Sequence, residues 1–129
     1  MQMLLQILLA IACFGVFDFI WLGLVAKKFY YNHIGDLLRK KPRLIPAVIF
    51  YTIYCTAIVL LVIRPAFDAA SIWQALGRGA LFGLAAYATY DLTNLATLKG
   101  FKTKVALADM TWGTFATAIV SSIVYAVFA

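Results

Sequence analysis

The chain has 129 residues, 65% of them hydrophobic and 12% charged, with a formal net charge of +6 and a mean hydropathy of +0.95. Soluble domains are roughly half apolar, so these values exclude a water-soluble globular protein and indicate one helical, polytopic membrane domain. The positive charge does not indicate nucleic acid either, because most Lys and Arg residues lie in two short segments between apolar runs, as they do in membrane loops.

Residues 3–26 form the first apolar run and exceed the roughly 20 residues a spanning helix needs. A secretory signal would have a basic start and a shorter apolar stretch of about 7–15 residues. A retained helix is therefore expected, with Asp18 and Trp21, three apart, on one face. Residues 27–43 make a basic loop containing Lys27, Lys28, Arg39, Lys40, Lys41 and Arg43. The aromatic and basic positions around Phe29, Tyr30 and His33 suit a short interfacial helix with its aromatics at headgroup level, ended by Pro42. His33 reads as a solvated or headgroup-contacting side chain.

The second span is expected over residues 44–63, with Pro46 harmless in its first turn and Arg64-Pro65 closing it. Asp68 and Ser71 are cap candidates for the third span, residues 74–98. That span carries Gly79 and Gly83 in a GxxxG spacing, which lets a neighbouring helix approach closely. A tight turn with Lys99, Lys102 and Lys104 leads to the fourth span, residues 105–128. The first and third loops hold six and three basic residues, which predicts both loops in the cytoplasm and both termini outside.

The acids carry the functional signal. The chain has no Glu and five Asp, and Asp18, Asp91 and Asp109 lie inside apolar spans, where an ionisable group is costly and is read as functional by default. In the third span, Tyr87, Tyr90, Asp91, Asn94 and Thr97 recur at helical spacing and form one polar stripe. At 1.5 Å per residue, Asp18 lies about 13 Å before Lys27, Asp91 about 12 Å before Lys99, and Asp109 about 7 Å after Lys104. All three acids should share the cytoplasmic half and face one another, with Trp21 and Trp112 beside them. Carboxylates so close in a low dielectric are expected to share a proton.

Three readings stay open for this set. The acids can be structural, bonded to Asn, Thr, Tyr and Trp donors that lock the helices together. They can be counter-charges of a binding or transport site for a cation or lipid headgroup, beside aromatic faces. They can also be the proton donor and its ionised neighbour in an intramembrane enzyme, with Asp18, Asp91 and Asp109 as catalytic candidates. Cys13 and Cys55 lie in apolar runs at no metal-site spacing, so neither a metal nor a cofactor is expected. Aligning Tyr90-Asp91 on Phe17-Asp18 gives an offset of 73 residues, readable as a parallel two-helix repeat or as coincidence.

The motifs Asp18-x-x-Trp21-Leu-Gly23, Tyr90-Asp91-Leu-Thr-Asn94-Leu-Ala-Thr97-Leu-Lys-Gly100 and Asp109-x-x-Trp112-Gly113 resemble a bacterial family called domain of unknown function 2177. The resemblance covers essentially the whole chain. It implies an all-α, four-transmembrane-helix bundle in the bacterial inner membrane, without an assigned biochemical role, and inclines the expectation toward membrane lipid. The ligand-binding set proposed from the sequence is thus Asp18, Trp21, Tyr87, Tyr90, Asp91, Asn94, Thr97, Asp109 and Trp112. Its ligand is a lipid headgroup or small amphiphile. The alternatives are an oligomeric transporter subunit coupled to protons or cations, and a structural partner of a membrane lipid enzyme. Expected partners are therefore membrane lipids, with further copies of the chain or a membrane enzyme, and no nucleic acid.

Overall fold

The computed structural model describes residues 2–35 and 43–129, and these residues are helical, with short connections and no strand. Helix α1 (Gln2–Ile20) continues through a π-helical turn (Trp21–Val25), breaks at Ala26 and leads into the short α2 (Lys27–Ile34). Helix α3 (Leu44–Ile58) passes through a second π-helical turn (Val59–Ile63) into α4 (Arg64–Asp68); α5 (Ile72–Thr97) and α6 (Thr103–Phe128) complete the bundle. The expected four-helix architecture is present. The predicted end of the interfacial helix at Pro42 lies outside the described residues.

Among the described residues, three stretches are long and apolar enough to cross a membrane: Gln2–Val25, Leu44–Asp68 and Thr103–Phe128. Helix α5 has the same 26 residues as α6, about 39 Å of rise. Gln74, Arg78, Asp91 and Asn94 make it less apolar. Large side chains such as Leu4, Phe19, Leu24, Ile45, Trp73 and Leu81 point outward. A soluble monomer rarely exposes an apolar surface of this extent, but lipid tails accept it.

The second span runs further than Arg64-Pro65 would suggest. Proline lacks an N–H and its ring collides with the carbonyl four residues back, here Leu61. The widened turn at Val59–Ile63 accommodates that collision, with the Arg64 amide bonding to Val59 O five residues earlier, and the helix continues to Asp68. The cap expectation also changes. Ser71 occupies the N-cap position of α5 in extended conformation, but neither it nor Asp68 makes a side-chain cap hydrogen bond there. The connection closes through the backbone, with Ser71 N donating to Ala66 O and Gln74 N to Ser71 O.

The closest packing is between α5 and α6, and it rests on missing Cβ atoms. A methyl group at Gly79 would lie 2.9 Å from Ser121 Oγ and 3.0 Å from Ala118 Cα. One at Gly83 would collide with Gly113 O and lie 2.7 Å from Thr117 Oγ1, and one at Gly113 would fall onto the Tyr87 ring. The GxxxG spacing therefore marks a true helix–helix contact. Around it, α1, α3 and α6 bury Phe14, Tyr54, Ile58, Val120 and Val124 in a common core. Tyr54 hydroxyl and Thr117 Oγ1 are hydrogen-bonded at 2.9 Å inside that core.

Glycine position should therefore decide the sign of a substitution. Gly83→Ala is expected to destabilise by about 1–3 kcal/mol through overpacking. A methyl group added at Gly77 would meet nothing within 4 Å, so this position should accept Ala and gain about 0.5–1 kcal/mol of helix preference. Thermal unfolding of the two purified variants in detergent checks both signs.

Candidate functional site

The three intramembrane carboxylates lie toward one end of the bundle, the end that carries α2 and the α5–α6 turn, and each meets a different environment. Asp18, on α1, is fully provided with donors. Its Oδ1 accepts from Trp112 Nε1 at 2.9 Å, and its Oδ2 accepts from the Tyr51 hydroxyl. One carboxylate thus ties α1 to α3 and α6.

Asp109, on α6, accepts from the Tyr30 hydroxyl at 3.1 Å. That same hydroxyl accepts from Trp21 Nε1 at 3.3 Å. The sequence pattern puts Tyr30 at headgroup level with the other aromatics of the basic segment; in the structure it is only 7% exposed. Burial pushes its phenol up from its ordinary value, so it stays a neutral donor. The indoles of Trp21 and Trp112 stack with centroids 4.8 Å apart and planes 3° from parallel. The Asp18 and Asp109 networks therefore meet through a pair of stacked tryptophans.

Asp91 is the exception. It is 0% exposed, and neither carboxyl oxygen has a hydrogen-bond partner among the described residues. The register that sets Gly83 and Tyr87 against Gly113 brings Asp91, one turn further along α5, to the level of Asp109 on α6. Two carboxylates cannot satisfy each other without a proton between them, since an ionised carboxyl only accepts.

The polar stripe predicted for α5 divides. Tyr87 packs on Gly113 and sets its ring edge-on to Tyr54 at 6.3 Å. Asn94 is half-buried. Tyr90 is 61% exposed and meets only the Phe101 ring, edge-on at 6.4 Å, among aromatic contacts. Thr97 is exposed and turns its hydroxyl back to Thr93 O at 2.8 Å, satisfying itself on its own helix. His33 does likewise, with Nδ1 2.7 Å from Phe29 O.

A crevice of about 380 Å³ opens between α3, α5 and α6, lined by Phe50, Tyr54, Ala86, Tyr87, Tyr90 and Asp109. Its walls are aromatic and apolar, and among the described residues Asp109 is its single charged lining residue. A second cavity of about 410 Å³ lies at the opposite end, between Gln2, Gln6, Arg64, Phe67, Asp68 and Phe128. Among the described residues no three His, Cys, Asp or Glu side chains gather as a metal-binding group, and both cysteines are free thiols.

Sequence reasoning missed Tyr30, Phe50, Tyr51 and Tyr54. Tyr51 and Tyr54 lie three apart in an aliphatic span, a spacing that carried the signal. Tyr30 gave none, because its position depends on the break at Ala26.

Fold and site together define a small polytopic helical membrane protein with an acidic-aromatic cluster inside one end of its bundle. The chain belongs to the family described as predicted membrane protein (DUF2177), whose model matches residues 3–126. No curated protein and no solved structure matches it.

The unequal environments predict opposite responses to one substitution. Asp18→Leu strands the Tyr51 and Trp112 donors and should cost about 1–3 kcal/mol. Asp91→Leu removes a buried, unpartnered acid at similar volume and should be neutral or stabilising. Thermal unfolding in detergent measures both, and Trp112 emission should shift only in the Asp18 variant.

Proposed function

We propose that the protein binds a single-chain or lipid-like amphiphile in the crevice between α3, α5 and α6, in the service of membrane lipid handling. The observation that carries this reading is the crevice's composition: aromatic and apolar walls with one carboxylate, Asp109. Ligand sites of this kind combine a large apolar lining with few polar groups that fix orientation. The apolar part of the ligand lies against Phe50, Tyr87 and Tyr90, and its polar group reaches Asp109. Asp18, Trp21 and Trp112 hold that carboxylate's surroundings in place, and Asp91 backs it from α5.

In this reading the chain sits in an inner membrane with both termini outside, and the crevice serves the cytoplasmic leaflet. Support comes from Lys27, Lys28, Lys99, Lys102 and Lys104, all at the end of the bundle nearest the acids, against Arg64 and Arg78 toward the other. A second reading, an oligomeric transporter subunit, is favoured by one observation, the partnerless Asp91, a common feature of ion and proton pathways.

Filling the crevice tests the first reading. Ala86→Phe in lipid nanodiscs should weaken binding of a fluorescent fatty alcohol about tenfold, or 1.4 kcal/mol, with the melting temperature preserved. Equal binding by wild type and the filled variant would place any amphiphile elsewhere.

A further inference from the structure

We infer that the crevice selects amphiphiles with a cationic, ammonium-type headgroup and exchanges each one for a proton held between Asp91 and Asp109. This rests on the amphiphile reading and specifies its ligand.

The first observation is the arrangement of the acids. Asp91 is fully buried, its two oxygens have no donor among the described residues, and the glycine-set register of α5 on α6 puts it opposite Asp109. Burying two ionised carboxyls against each other is far costlier than keeping one proton between them. The titratable groups facing Asp91 are Asp109 on α6 and Tyr30 on α2. The Tyr30 hydroxyl is already given to Asp109, and among the described residues no other group donates to Asp91. With a shared proton the pair carries one negative charge.

The second observation is access. Asp109 lines the crevice and Asp91 does not, so the pair meets a ligand only through Asp109. The rings of Tyr87 and Tyr90 flank the approach, and aromatic faces attract cations.

Charge balance follows directly. Before binding, the pair and its proton carry one negative charge. When the ammonium arrives at Asp109, the proton leaves to water and both carboxyls are ionised, giving two negative charges and one positive. The net charge inside the bundle is unchanged, so the exchange adds no uncompensated buried charge, which is the costly event in such a site. Because the proton competes with the cation, affinity should rise with pH.

The experiment uses the full chain in nanodiscs of zwitterionic lipid. Three probes of equal chain length are titrated: an alkyltrimethylammonium, an alkyl alcohol and an alkyl sulfate. Tryptophan emission reports binding, and a pH dye in weak buffer reports protons. We expect the cation to bind at least about tenfold more tightly than the alcohol and to release about one proton per bound molecule. Asp109→Asn should erase the preference for the cation. Asp91→Asn should abolish proton release and flatten the pH dependence of cation affinity. If alcohol and cation bind equally and no proton is released, the exchange is wrong while amphiphile binding survives. If none of the three probes binds, the amphiphile reading falls as well.

Discussion

The close crossing of α5 and α6 is the constraint on which the rest of the structure depends. Between helices in lipid no hydrophobic force operates, so close packing of small residues supplies much of the attraction. Gly79, Gly83 and Gly113 let the two backbones approach until Tyr87 lies on Gly113 and Thr117 on Gly83. That approach also brings the carboxyl of Asp91 against that of Asp109. A wider crossing would leave room for water or another side chain between the acids. The packing of the bundle and the chemistry of its acids are thus one arrangement.

The three carboxylates show how differently a membrane interior treats the same group. Asp18 binds two donors from two other helices and acts as a fastener. Asp109 binds one donor from α2 and keeps a face on the crevice. Asp91 binds none. A single fold therefore sorts these three acids into a structural, a crevice-facing and a withheld one, with the stacked Trp21 and Trp112 between the first two. The number of donors available, rather than depth alone, sets the role of each.

Much of this was legible in the sequence. Hydropathy gave the helices, and counting residues from the flanking lysines placed Asp18, Asp91 and Asp109 at similar depth. The same count put Trp21 and Trp112 in that half, though nothing in it foretold that their rings stack. Helical spacing also grouped Tyr87 with Asp91, and these two do face inward. Tyr90 and Thr97 are more exposed, because a stripe of three- and four-residue steps is wider than the face one neighbouring helix can cover; Tyr90 lines the crevice instead, and Thr97 bonds back to its own helix. Tyr30 and Tyr51 were illegible for another reason. Each donates across more than 30 positions of sequence, to Asp109 and Asp18, and no local pattern encodes such a partner. The continuation past Pro65 was hidden because proline usually ends a helix, and only the π-helical turn before it shows how this one does not.

The π-helical turn at Trp21–Val25 has a geometric meaning of its own. Trp21 and Tyr30 are nine residues apart, two and a half turns of an α-helix at about 3.6 residues per turn. In an uninterrupted rod they would point in opposite directions. Here the indole of one donates to the hydroxyl of the other, because the widened turn and the break at Ala26 change the angular phase between them. The turn works as a half-turn phase shifter in the backbone. It folds the start of the basic segment over the end of the bundle, so that a residue from outside the first span closes the acid cluster from above.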